Sequence, residues 1–326
     1  MNETSGGARN APDDVDGWPR IAVFGAGAVG CYFGARLAMA GAPVTLIGRP
    51  AHVQAITAHG LQFESGGRRQ AVTIAAQTET DAVAEADLVL FCVKSRDTES
   101  GARTIAPLLR PDATVVSLQN GVDNAARMRA AGGIDALAAV VYVACSMPEP
   151  GLLRHAGRGD LLIGEVGAPP EETVRVADRA ARVAAVFERA GVPCPVSADV
   201  RVDLWVKLVM NCVFNPLSAL GRSHYGKMIA DADTRRLMRD VVAECVAVAH
   251  ADGVALAEVD VLHDAALKLG AAMAGATSST AQDLSLGRPT EIGALNGYVV
   301  ERGRALGVPV PVNRALVTLV QLLESA

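Results

Sequence analysis

Apolar residues follow two different rhythms along this chain. From Ile21 to Ala144, short apolar runs alternate with longer mixed segments. Ile21-Ala-Val-Phe24 ends in glycines, an Ala-rich helical stretch runs to about Ala40 before Gly41, and Pro43–Ile47 forms the next run. Further strand-like runs fall at Val72–Ala75, Leu88–Val93, Thr114–Leu118 and Leu137–Ala144. Alternation of this kind predicts a parallel sheet with helices on both faces. Gly151–Gly167, with its Leu161–Ile163 run, is expected to supply the last strands, and Glu171–Ala190 to form a charged amphipathic helix. Gly191-Val-Pro-Cys-Pro195 then punctuates the chain. Beyond it, strand signals nearly vanish and helical patterns cover 199–221, 231–252, 256–274, 290–306 and 313–325.

Composition narrows this picture. At roughly 150 residues per domain, a chain of 326 suits two. The expected division is a polar tail at 1–19, a doubly wound α/β domain at 20–195 and an all-helical domain at 196–326. A hydrophobic share of 50% excludes disorder as the dominant state. A net charge of −5 argues against a nucleic-acid partner or a polybasic membrane binder. The longest uncharged run, Ile21–Ala35, has 15 residues and four glycines, whereas a membrane span needs about 20. The first 19 residues lack the apolar stretch of a signal peptide. Six cysteines without a C-x-x-C pair, mostly inside apolar runs, are expected to be buried free thiols of a cytoplasmic protein. Six histidines show no metal-ligand spacing and no G-x-S-x-G elbow occurs, so no metal site and no serine hydrolase are expected.

Gly25-Ala-Gly27-Ala28-Val29-Gly30 has G-x-G-x-x-G spacing between a strand and a helix. The first glycine permits the turn, the second lets a pyrophosphate approach the backbone, and the third lets helix and strand pack closely. The helix start offers unpaired N–H donors to that pyrophosphate. No acid for a ribose 2′-hydroxyl occurs between Gly41 and Glu64, while Arg49 at the end of the second run suits a 2′-phosphate, which favours NADP. A solvated surface arginine is the plainer reading of Arg49.

Of 30 basic residues only Lys94, Lys207, Lys227 and Lys268 are lysine. Lysine at a site-like position can serve proton chemistry that arginine cannot. Lys94 follows an apolar strand, at the carboxyl edge of the sheet. Lys207, Asn211 and Asn215 lie at i, i+4 and i+8 on an otherwise apolar helix, which predicts a polar cavity or, alternatively, a network between helices. Pro216 is expected to kink or end that helix. Ser279-x-x-Gln282 fits a capping box. On a helix over 290–306, Glu291 shares its face with Leu295, Tyr298, Val299 and Leu306 and so points inward. Asn120-Gly121 follows a strand and reads either as a turn or as part of a site.

These pieces together resemble the ketopantoate reductase family. The resemblance rests on the glycine loop, Val93-Lys94-Ser95, Gln119-Asn120-Gly121, Trp205-x-Lys207-x-x-x-Asn211-x-x-x-Asn215-Pro216-Leu217 and Ser278-Ser279-x-x-Gln282-Asp283 with Thr290-Glu291-Ile292. It implies a Rossmann-type domain followed by a helical one, and NADPH-dependent reduction of 2-dehydropantoate to (R)-pantoate on the route to coenzyme A. By resemblance, Lys207 is the general acid, with Glu291 beside it and the substrate hydroxyl. The cofactor would lie on Gly25, Gly27, Ala28, Val29, Gly30, Arg49, Lys94 and Asn120. The substrate would meet Asn120, Lys207, Asn211, Asn215, Ser279 and Glu291. A same-fold dehydrogenase for another branched or aromatic 2-keto acid, and a nucleotide-binding sensor without turnover, are the alternatives. A homodimer is compatible with the resemblance but not read from the sequence.

Overall fold

The computed structural model describes residues 17–166 and 173–325, so most of the expected tail lies outside the described residues. The tail boundary at 19 is corrected: Trp18 is buried, beneath the guanidinium of Arg189 at 3.8 Å. A buried indole that joins the sheet's hydrophobic core is core, not tail.

Among the described residues, one sheet of nine strands organises the first half of the chain, in the order β4-β3-β9-β8-β7-β6-β1-β2-β5. Its centre follows from the short apolar runs: β1 (Ile21–Phe24), β2 (Val44–Ile47), β6 (Leu88–Phe91) and β7 (Thr114–Ser117) pair in parallel. Successive side chains of β1 serve opposite layers. Val23 belongs to a core shared with α1 (Ala28–Met39) and α6 (Thr173–Arg189), whereas Ala22 belongs to one shared with α4 (Thr98–Ile105) and α5 (Asn124–Gly132). Burial on both faces is what near-continuous apolar strands require.

The parallel centre of the sheet is extended by two antiparallel hairpins. β8 (Leu137–Glu149) and β9 (Leu152–Gly164) are antiparallel, as are β3 (Leu61–Ser65) and β4 (Arg68–Val72). The single strand expected over Val72–Ala75 is two: β4 ends at Val72, and β5 (Ala75–Gln77) pairs with β2 at the opposite edge of the sheet. The first half of the fold also holds α2 (Pro50–His59) and α3 (Ala82–Glu85).

The second half is helical: α7 (Val200–Gly221), α8 (Tyr225–Ala230), α9 (Ala232–Ala251), α10 (Val259–Ala272), α11 (Ser279–Ser285), α12 (Asn296–Leu306) and α13 (Pro311–Glu324). Trp205, Leu208, Val209, Cys212 and Val213 put α7 at the centre of a separate core with α9, α10 and α12. At its start, Val200 and Leu204 pack on Ala138 and Val140 of β8, which ties the helical layer to the sheet. Among the described residues α7 is the one helix long and apolar enough to cross a membrane, yet 61% of that stretch is buried inside the protein. It is a core helix.

Three local expectations need correction. Pro216 lies inside α7 and does not end it. The cap of α11 is Ser278 rather than Ser279: Ser278 Oγ accepts from Ala281 N–H at 3.0 Å. No helix covers 290–306 as a whole, because α12 begins at Asn296 after a 3-10 turn at Ile292–Ala294. Glycines at 293 and 297 weaken helix there, and Thr290 Oγ1 takes the Ile292 N–H at 3.2 Å.

Candidate active site

The carboxyl ends of β1, β6 and β7 open beside one another, where the strand order reverses around β1. Ligands bind open α/β sheets at such an edge. The glycine loop sits there. Gly25 has φ +113°, and a Cβ on it would lie 2.7 Å from the Cys92 carbonyl carbon and the Val93 nitrogen. A Cβ on Gly30 would lie 2.3 Å from Gly25 O, so that glycine is needed for helix and turn to close up. A Cβ on Gly27 would meet nothing within 4 Å. The loop is thus tight at its first and third glycines and open at its second, as a backbone approached by pyrophosphate should be. The first bond of α1 is Cys31 N–H to Gly27 O at 2.8 Å, which leaves the N–H groups of Ala28, Val29 and Gly30 ahead of it. These residues fit a dinucleotide.

Arg49 follows β2 as the residue before α2, with an exposed side chain and no acid partner among the described residues. It stands just beyond the carboxyl end of the second strand.

Asn120 is fixed after β7 by its neighbours. Its backbone carbonyl accepts from Ser95 Oγ at 2.8 Å and Asn124 Nδ2 at 2.7 Å, and Gly121 turns the chain at φ +101°. Its amide then reaches both ways: Oδ1 accepts from Lys207 Nζ at 2.9 Å, and Nδ2 donates to Glu291 Oε2 at 3.2 Å. Lys207 and Glu291 are therefore joined through Asn120.

Lys207 projects from α7 towards β8, where Nζ also donates to Val141 O at 2.6 Å. Burial pushes its ammonium down to about 8, the charge of Glu291 works against that shift, and Arg158 adds to it. Arg158 lies 4.0 Å above the Tyr142 ring, whose other neighbour is Lys207 Nζ at 6.0 Å. Asn211 and Asn215 continue the same face of α7, half-buried and buried respectively. Neither side-chain amide hydrogen-bonds to a described residue, so both are free for a ligand. Ser279, exposed at the start of α11, likewise keeps a free hydroxyl.

Glu291 is 14% exposed. Burial pushes its carboxyl up, but Lys94, the Ser95 N–H and the Asn120 amide outweigh this and hold it below the usual carboxylate range. Lys94 Nζ is 3.3 Å from Glu291 Oε2 and 3.5 Å from Asp283 Oδ2. The lysine expected to hold cofactor phosphate thus pairs with two acids of the helical half.

Sequence reasoning missed Ser95, Val141, Arg158 and Asp283. Ser95 and Asp283 stand inside the quoted motifs. Val141 acts through a backbone carbonyl, which leaves no trace in a sequence, and Arg158 has its unusual φ of +53° only because of the irregular β8–β9 pairing.

Two family models match the chain: "Ketopantoate reductase PanE/ApbA" over residues 21–168 and its C-terminal counterpart over 199–324. The 2-dehydropantoate 2-reductase of Mesorhizobium japonicum is 32% identical over 93% of this chain and 97% of its own. The crystal structure of a PanE/ApbA family ketopantoate reductase from Ralstonia eutropha JMP134 superposes with a TM-score of 0.85 at 47% identity, covering 94% of this chain and 98% of that one. D-Mandelate dehydrogenase, solved with NADH and anilino(oxo)acetate, shares the fold at a TM-score of 0.86 and 23% identity, covering 94% and 98% of the two chains. With matches spanning both halves, this chain belongs to the ketopantoate reductase family.

Proposed function

We propose that the chain reduces 2-dehydropantoate to (R)-pantoate with NADPH. The observation that carries this reading is Lys207: a half-buried lysine whose ammonium desolvation pushes down to about 8, held by Asn120 Oδ1 and Val141 O at the head of a stripe of amides without a partner among the described residues. When bound, the dihydronicotinamide supplies hydride to the keto carbon. Negative charge then builds on the carbonyl oxygen, and the protein must neutralise it. Lys207 donates a hydrogen bond to that oxygen and passes it a proton from Nζ. Asn120 orients Nζ, and Val141 O fixes it from the side of the sheet. Asn211, Asn215 and Ser279 hold the carboxylate and hydroxyl of the substrate by hydrogen bonds. Glu291 stays ionised and accepts from the substrate hydroxyl. The glycine loop carries the pyrophosphate, and Arg49 takes the 2′-phosphate, which sets NADPH above NADH. A division after residue 195, with Trp18 counted in the first unit, goes with this reading, supported by the separate cores of sheet and helices, as does a cytoplasmic enzyme.

The test is oxidation of NADPH and NADH against a panel of 2-keto acids. Expected is turnover with 2-dehydropantoate and NADPH, and a loss of NADPH affinity worth about 1–3 kcal/mol in Arg49→Ala. Turnover confined to an aromatic 2-keto acid would select the same-fold dehydrogenase. Cofactor binding without turnover of any keto acid would select a sensor.

A further inference from the structure

Pro216 stands in the middle of α7 and has no N–H to give. In an unbroken helix that N–H would bond the carbonyl four residues back, which is Cys212 O. Cys212 is fully buried, so an unpaired carbonyl there would cost about 1–3 kcal/mol. The missing donor comes from another helix: Asn296 Nδ2, at the first residue of α12, donates to Cys212 O at 3.0 Å.

Asn296 is held for this task. It is completely buried, and Nδ2 also donates to Asn313 Oδ1 at 2.9 Å. Asn313 in turn donates from Nδ2 to Glu244 Oε2 at 2.7 Å, while Glu244 accepts the N–H groups of Val312 and Asn313, both at 2.8 Å. Asn296 Oδ1 is left without a partner. An apolar residue would avoid that cost, so the residue is explained by its donors and not by its oxygen.

A second tie brackets Pro216. Ser278 Oγ donates to Asn215 O at 3.1 Å, and Ser278 N–H donates to Ser218 Oγ at 3.2 Å. The segment 278–296 bears Ser279, Asp283 and Glu291. It is therefore fastened at both ends to α7 around one proline, within a turn of Asn211 and Asn215.

We infer that Asn296 is a positioning residue: by replacing the donor lost at Pro216, it fixes the spacing between the polar stripe of α7 and the segment carrying Glu291. This rests on the reading of Lys207, Asn211, Asn215 and Glu291 as the reductase site. Asn296 touches no substrate and acts through α7.

The experiment is a double-mutant cycle of Asn296→Leu and Pro216→Ala, because alanine at 216 restores an intrahelical donor for Cys212 O. Keto-acid kcat/KM should fall about 10–100-fold in Asn296→Leu, as expected for a misplaced site. NADPH affinity should hold, and the loss should be largely recovered in the double variant. Amide hydrogen exchange over residues 207–215, measured without ligands, should quicken in Asn296→Leu and slow again in the double variant. Additive effects, with no recovery in kinetics or exchange, would overturn the inference. So would a variant of lower melting temperature whose folded fraction keeps its kcat and KM and its exchange. Wild type that turns over no keto acid would instead overturn the reductase reading, and the exchange cycle would still decide the role of Asn296. Should Asn296→Leu not fold, Asn296→Ser in the same cycle gives the two readouts.

Discussion

Lysine is scarce here, and that scarcity is the clearest single-residue signal in the chain. With 26 of 30 cations arginine, the lysine at 207 stands out before any geometry is known. Its helical spacing to Asn211 and Asn215 then identifies the polar face. The partners that tune it are illegible in advance, because one is the backbone oxygen of Val141 and another is Arg158, set by an irregular hairpin. The shift has a definite sign. A proton donor must be charged, so kcat/KM for keto-acid reduction should be full below about 8 and fall as pH rises through it. Removing the opposing cation with Arg158→Ala should move that alkaline limb to higher pH. Removing the supporting anion with Glu291→Gln should move it to lower pH, with a loss of kcat as well. Lys207→Arg keeps the charge but cannot give up the proton at neutral pH, so turnover should drop by about 10²–10⁴-fold with NADPH affinity retained. A pH profile for each variant checks all three, and near-normal kcat in Lys207→Arg would leave lysine a purely electrostatic role.

Elements were legible where their periodicity was strong. β1, α1 and β2 announce themselves through an apolar run, a glycine loop and a second run, and α7, α9, α10 and α13 through long helical patterns. The β3–β4 hairpin did not, because four of the five residues of β4 are exposed and its Gln-Phe-Glu-Ser-Gly-Gly-Arg-Arg-Gln stretch shows little apolar alternation. Glu291 was placed inward correctly, but on a helix that does not form. Ser278 and Ser279 give the sharpest test at this scale, since neighbouring hydroxyls have separate duties. Ser278 caps α11 and ties it to Asn215 O, whereas Ser279 does neither. Ser278→Ala should cost about 1–2 kcal/mol of stability. Ser279→Ala should leave the denaturation midpoint almost unchanged while raising the KM for the keto acid. Equal destabilisation by both would contradict the assigned cap, and an unchanged KM in Ser279→Ala would remove it from the substrate site.

The whole molecule is a sheet layer and a helical layer meeting at a line of charged and amide groups. Lys94 and Ser95 after β6, and Asn120 after β7, face Asp283, Glu291 and Lys207 from the helical side. No single apolar pattern encodes such a line. It exists only where the sheet core and the helical core meet, which is why Lys94 was read for cofactor phosphate and not for its acid partners. Lys94 is 48% exposed, so its pairs are open to solvent and to exchange for a bound ligand. Within the protein as described, its charge is one of the groups that keep Glu291 ionised despite burial. It also offsets the rise that burial imposes on Asp283. Lys94→Met would therefore leave two neighbouring carboxylates without their shared cation, and both pKa values should rise. Glu291 accepts from the Ser95 N–H on Oε1 and from the Asn120 amide on Oε2, and protonation of either oxygen would weaken one of these bonds, so its contribution is present above its pKa and lost as pH falls through it. The acid limb of kcat/KM should accordingly move to higher pH in Lys94→Met. If Lys94 also meets the cofactor, NADPH affinity should fall by about tenfold or more, the usual scale for a lost charge-assisted contact, and most strongly at low salt. Weaker NADPH binding with an unmoved acid limb would assign Lys94 to the cofactor alone. A moved limb with unchanged NADPH affinity would make it a clasp between the two layers.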